Sequence, residues 1–167
     1  MLRLASPVAR LKTGPRPVCR IGNGQWSVRE ILVPAMSEEN VDRYRRVVEA
    51  FERRDLDGFL ELFDPDVDFA PRSAELEGSS YRGHEGIRSW WETTFGLFSE
   101  YRAEIQEVQD LGDVTFGRLR LRGHGMESGA PMEQTQWHVV EWRQRMVVRW
   151  RTLRSETEAL EAAGIAA

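Results

Sequence analysis

Cysteine is almost missing from this chain. Cys19 is the only one among 167 residues, so no intrachain disulfide can form. That composition fits a reducing compartment, and a cytoplasmic location is the expectation. Long hydrophobic runs are also missing: nothing approaches the roughly 18 consecutive apolar residues of a membrane span, so no membrane role is expected. Basic residues are outnumbered, 23 Lys and Arg against 27 Asp and Glu. A net charge of −4 without a basic motif argues against general nucleic-acid binding. Histidine is scarce, and His84, His124 and His138 have no carboxylate at metal-ligand spacing. Neither a metal nor another cofactor is therefore expected.

What is present is unevenly spread. Residues 1–35 carry Arg3, Arg10, Lys12, Arg16, Arg20 and Arg29 against Glu30 alone, a net of +5, which leaves −9 for the rest. The same segment holds Pro7, Pro15, Pro17 and Pro34 with Gly14, Gly22 and Gly24. Proline fixes φ and removes donors, so no regular element is expected there. Two readings stand: a non-native or functionless upstream piece with Met36 as the natural start, or a targeting or partner-binding segment. Residues 36–167 are of single-domain size. Six Trp, seven Phe and three Tyr in the chain are enough to build a core and also line a cavity.

Ser37 is a suitable N-cap, with Glu38 and Glu39 in the first turn. Val41, Tyr44, Val47, Val48 and Phe51 recur at three- and four-residue steps and predict a helix to about Arg54. Asp55 caps a second short helix with Leu56, Phe59, Leu60 and Phe63 on its buried stripe, ending at Asp64-Pro65. Val67 and Phe69 alternate with Asp66 and Asp68 in a strand that ends at Pro71. A Ser- and Gly-containing loop follows from Arg72 to Gly83. A third helix runs from about His84 to Phe98, with Ile87, Trp90, Trp91, Thr94, Phe95 and Phe98 inward.

The second half alternates with period two. Strands are expected around Tyr101–Ile105, Val114–Arg122, Met132–Trp142 and Val147–Leu153, followed by a helix from Glu156 to Ala163 that stops at Gly164. The order reads as α+β. A two-residue turn at Gln144-Arg145 sets His138 opposite Arg151. Gln136, His138 and Arg151 then share one sheet face, taken as the pocket side. Trp137, Val139, Val148 and Trp150 share the other, which suits a dimer interface.

The runs SEENVDRYRRVVEAFERRDLDGFLELFDPDVDFAP, YRGHEGIRSWW and QWHVVEW with VVRWRTLRSETEALEAAG resemble the SnoaL-like branch of the nuclear transport factor 2-like superfamily, over about residues 37–164. The resemblance implies a cone-shaped, strongly curved antiparallel sheet wrapped around a pocket that N-terminal helices cover, as a homodimer. It would place Phe69, Tyr81, Trp90, Trp91 and Phe95 in the roof of that pocket. It implies no single chemistry, because the superfamily hosts isomerases, cyclases, dehydratases, hydrolases and binding proteins.

Each chemistry can be tested on the residues. Ketosteroid isomerisation needs a carboxylate at the end of the first strand, where this chain has Ala70 before Pro71. Asp68, two residues earlier on the same face, is the substitute candidate. Polyketide cyclases are similar at Gln136 and His138, but their aspartate on the next strand is missing from a neighbourhood of Arg149, Arg151 and Thr152. Epoxide hydrolysis lacks the second aspartate of its Asp-Arg-Asp group. His138 itself has two readings: a core histidine satisfied by Gln136 or a backbone carbonyl, or a ligand-orienting or acid–base group.

Three functions follow. The first is a pocket protein for a small, largely apolar molecule, whose polar end is held by Gln136, His138 and Arg151, with Phe69, Tyr81, Trp91 and Phe95 as apolar walls. The second is a lyase, isomerase or cyclase acting on a polyketide-, steroid- or terpenoid-like substrate, with His138 as base and Asp68 or Tyr81 assisting. The third is a noncatalytic dimeric interaction module.

Overall fold

The computed structural model describes residues 38–77 and 80–165. The expectations for the basic segment, for Met36 and for the Ser37 cap lie outside the described residues. Helix α1 (Glu38–Glu52) buries Tyr44, Val47, Val48 and Phe51, the stripe its spacing requires. Asp55 Oδ1 accepts from Gly58 N at 2.9 Å and starts α2 (Leu56–Leu60). Phe63 does not end that helix but opens strand β1 (Phe63–Ala70), with its ring stacked 4.6 Å from Phe59. The stretch read as loop contains a short helix, α3 (Arg72–Glu77), and the two-residue strand β2 (Tyr81–Arg82). Helix α4 (Gly83–Leu97) then leads directly into β3 (Phe98–Asp110). Strands β4 (Val114–Gly125), β5 (Pro131–Arg143) and β6 (Met146–Leu153) follow, and α5 (Glu156–Ala162) closes the series under a Ser155 cap.

The six strands form one curved, open sheet in the order β2-β1-β6-β5-β4-β3. It is not wholly antiparallel, because β1 lies parallel to β6 with Phe69 beside Trp150 and Ala70 beside Arg151. Helices α1, α2 and α4 pack on one face around Phe51, Phe59, Phe63 and Trp91. On the other face α5 covers a smaller cluster of Phe116, Val139 and Ala159, with Trp137 and Leu160 at its edge. Among the described residues no helix is long and apolar enough to cross a membrane.

One irregularity decides what faces what. The turn is where the sequence puts it: Gln144 and Arg145 both adopt positive φ, and Arg143 pairs with Met146. Two residues further the ladder slips, since Trp142 pairs with Val147 but Glu141 pairs with Arg149. Val148 is the extra residue of a β-bulge. From there His138 lies opposite Thr152, and Arg151 lies opposite Val139. A one-residue slip moves every later side chain to the opposite face, so the expected His138–Arg151 pairing is corrected.

Candidate functional site

Between the helices and the sheet lies a cavity of about 330 Å³. Its helical wall comes from Val47, Val48 and Phe51 of α1, Phe59 of α2, and Trp90, Thr93, Thr94 and Leu97 of α4. The α4 set follows the i, i+3, i+4, i+7 spacing of one helix face. Its sheet wall comes from Phe69 of β1, Tyr101 of β3, Leu119 and Leu121 of β4, Gln134, Gln136 and His138 of β5, and Trp150 and Thr152 of β6. Pro71, Arg72 and Ser73 complete one side. Leu97, 57 % exposed, marks the rim. No carboxylate is found among the described residues that line this space.

The polar groups line the sheet. Tyr44 is fully buried, and its Oη lies 2.9 Å from His138 Nδ1. Gly117, paired with His138 on the neighbouring strand, makes that approach possible: a Cβ there would sit 2.3 Å from the Tyr44 hydroxyl. His138 Nε2 faces Gln136 Oε1 at 3.4 Å. The Trp150 ring stacks on Tyr44 at 5.7 Å and touches the His138 ring at 4.6 Å, and its Nε1 donates to Thr152 Oγ1 at 3.2 Å. Tyr101 is hydrogen-bonded to the Gln134 side chain; burial nevertheless pushes its hydroxyl up to about 12. Burial has the opposite sign for a base. It draws His138 from its ordinary 6.5 down to about 3, so the imidazole is neutral at physiological pH.

The residues singled out from sequence divide into two groups. Phe69, Gln136 and His138 line the cavity together. Trp91 and Phe95 stand one layer behind, on the α4 stripe that packs against Phe51, while Trp90 is the tryptophan of that helix that reaches the space. Tyr81 is half-buried on β2, beside Phe69 in the ladder, and packs against the core without lining the cavity. Asp68 alternates away from Phe69 and meets Arg149 at 3.4 Å on the outer face. Arg151 is on that outer face too, bonded to Glu141 at 3.3 Å and to the Ala162 carbonyl at 2.8 Å. Trp150, expected on a dimer face with Trp137, is instead a cavity wall, and Trp137 packs at the edge of the α5 cluster. Ala70 shares the Arg151 side, so even a carboxylate at that position would point away from the cavity.

Sequence reasoning read Tyr44 as one more core residue and assigned nothing to Thr152, Gln134 or Gly117. A glycine inside an otherwise regular strand was the available signal for Tyr44, because it marks close approach of another group. His84 Nε2 contacts the Phe63 carbonyl at 2.9 Å and ties the start of α4 to β1. His124 lies on β4, 3.5 Å from Glu100.

The comparisons agree with this fold. The SnoaL-like domain family matches residues 44–150, and the chain belongs to that family. A nuclear transport factor 2-like protein of unknown function from Burkholderia pseudomallei is 23 % identical, with a TM-score of 0.64, over 75 % of this chain and 97 % of that one. TerC, co-crystallised with polyporic acid, is 18 % identical with a TM-score of 0.63, over 76 % of this chain and 99 % of its own. A candidate polyketide cyclase from Sinorhizobium meliloti is 22 % identical with a TM-score of 0.55, over 67 % and 94 %. At these identities the structures share the fold. A search of curated proteins gave no match.

Proposed function

We propose that this protein binds a small, largely apolar molecule in the helix-covered cavity, with the polar end of that molecule against Gln136, His138 and Thr152. The observation that carries this reading is the lining itself. Aromatic and aliphatic side chains surround about 330 Å³, a few neutral polar groups converge on adjacent strands, and no described lining residue is a carboxylate. Ligand sites have this composition, and the volume suits a compact two- or three-ring compound rather than a large one. That TerC was co-crystallised with polyporic acid, and that another structure of this fold is a candidate polyketide cyclase, supports an aromatic or polyketide-like class by analogy of fold.

A reaction with His138 as general base fits the geometry less well. A base works best with a pKa near the operating pH, and burial holds this imidazole at about 3. Its Nδ1 is also engaged by Tyr44. If turnover occurs, His138 acts by hydrogen bonding to a carbonyl or enolate oxygen, not by removing a proton.

The test is a thermal-shift screen of aromatic polyketides, hydroxyquinones, steroids and terpenoids against the wild type and Thr94→Trp, which fills the cavity from α4. A compound at one hundred times its Kd raises stability by about 2.7 kcal/mol. The expected result is a rise in Tm for at least one class in the wild type and none in the folded Thr94→Trp variant. A rise of equal size in both proteins, or none in either, removes the cavity reading.

A further inference from the structure

Resting on the cavity reading above, we infer that Tyr44 is a positioning residue that fixes the proton of His138 on Nε2, so that the buried end of the cavity offers an N–H donor and selects a ligand that carries a hydrogen-bond acceptor, such as a ketone or quinone carbonyl, over one that carries none. The argument is one of hydrogen-bond completeness. Tyr44 is 0 % exposed, and among the described residues its hydroxyl has no hydrogen-bond partner except His138 Nδ1. If Nδ1 carried the proton, the Tyr44 oxygen would accept it and its own hydrogen would be left unpartnered in the core. A buried donor without an acceptor bears its full desolvation penalty. If Nε2 carries the proton, every group is satisfied: Tyr44 donates to Nδ1, and Nε2–H donates to Gln136 Oε1.

The second arrangement also defines what the cavity presents. Tyr44 is not one of the lining residues, whereas His138 and Gln136 both are. The Nδ1 edge is thus turned into the core, and the Nε2 edge beside Gln136 is the one within a ligand's reach. At 3.4 Å the Nε2–Gln136 contact is longer than an ordinary N–H···O bond, so a ligand oxygen can take that hydrogen. The Gln136 amide NH2 adds a second donor. Both hydrogens can converge on one ligand carbonyl oxygen, which has two lone pairs to receive them. Trp150, stacked at 7° on the Tyr44 ring, holds the phenol in place, and Gly117 gives its oxygen room. A polar site rejects the partner that leaves its groups unpaired, so a small change in ligand chemistry is read strongly.

Two measurements test this. Two-bond proton–nitrogen NMR on the full chain with labelled histidine reads the tautomer directly, without any ligand. Wild type should show the Nε2–H form for His138 with Nδ1 as acceptor, and Tyr44→Phe, which keeps the ring stack, should lose the Nδ1 acceptor shift. An Nδ1–H form in the wild type overturns the proposal even if Tyr44→Phe fails to fold. The second measurement uses 9-fluorenone and fluorene, a pair with and without the carbonyl acceptor. Wild type should bind the ketone at least about tenfold more tightly, and Tyr44→Phe should bring the ratio close to one. Binding of both compounds with equal affinity overturns the selection while leaving the cavity reading intact. Binding of neither, with the Nε2–H form observed, upholds the positioning role and counts against the cavity reading alone.

Discussion

The two faces of β5 and β6 carry opposite kinds of chemistry only a few ångströms apart. The inner face presents Gln136, His138, Trp150 and Thr152, all neutral and all buried. The outer face presents Glu141, Arg149 and Arg151, joined by Asp68 of β1 in a chain of ion pairs between 3.3 and 3.5 Å. A charge is tolerated where water and a partner can both reach it, and is costly where neither can. The contrast shows that the sheet wall of the cavity carries no ionised group, and that the bulge at Val148 sets which side chains of β6 face it.

Trp150→Arg attacks that contrast most directly. It puts a guanidinium on the inner face, in place of the ring that stacks on Tyr44 and touches His138. An uncompensated buried charge together with a lost aromatic wall should cost about 3–5 kcal/mol or more, enough to abolish cooperative urea unfolding. A Trp150→Arg variant that unfolds cooperatively at the wild-type midpoint would show that the inner face does not exclude charge.

Acid titration sharpens the neutral side. The folded His138 sits at about 3, below the 6.5 of an unfolded histidine, so the unfolded chain takes up this proton first. Stability is therefore lost as pH falls through the window from 6.5 toward 3, by up to about 1.4 kcal/mol per pH unit from this one group. Comparing denaturation midpoints at pH 6.5 and 5 should show a shallower dependence for His138→Gln than for wild type. Parallel slopes would place the proton elsewhere.

On the charged side, removal of one partner should matter little. Arg149 is half exposed and bridges Asp68 and Glu141, so Arg149→Gln should cost about 0–1 kcal/mol and become indistinguishable from wild type in high salt. A loss comparable to that of Trp150→Arg would mean that the outer network, too, behaves as a buried one.

Much of this architecture is legible in the residues. The α1 stripe from Tyr44 to Phe51, the Asp55 cap and the Gln144-Arg145 turn all rest on local chemistry, and each forms as that chemistry dictates. The bulge is not legible for an equally local reason. Val147 and Val148 are adjacent and equally apolar, so the sequence of β6 alternates correctly in either register, with Val147, Arg149 and Arg151 or with Val148, Trp150 and Thr152 on the inner side. Only three-dimensional packing chooses. The helix α3 was hidden by a Ser- and Gly-containing surround. The parallel union of β1 with β6 left no trace in either strand, because long-range pairing has no sequence period. For the site, the inward placement of Gln136 and His138 could be read from alternation on β5. The hydroxyl of Tyr44 could not, since helical spacing reports which side a residue faces and not what its polar atom meets.

That parallel union has a kinetic meaning. Strands β3, β4 and β5 are joined by short hairpins and can pair early, but β1 and β6 meet across about eighty residues of intervening chain. Such a closure is repaid only after much of the chain has ordered, so it belongs late on the folding path. Trp150 sits on that seam and touches Phe63 and Phe69 across it. The cavity is thus a property of the finished molecule: its last wall arrives with the final strand, and a chain halted before β6 has a sheet but nowhere to hold a guest.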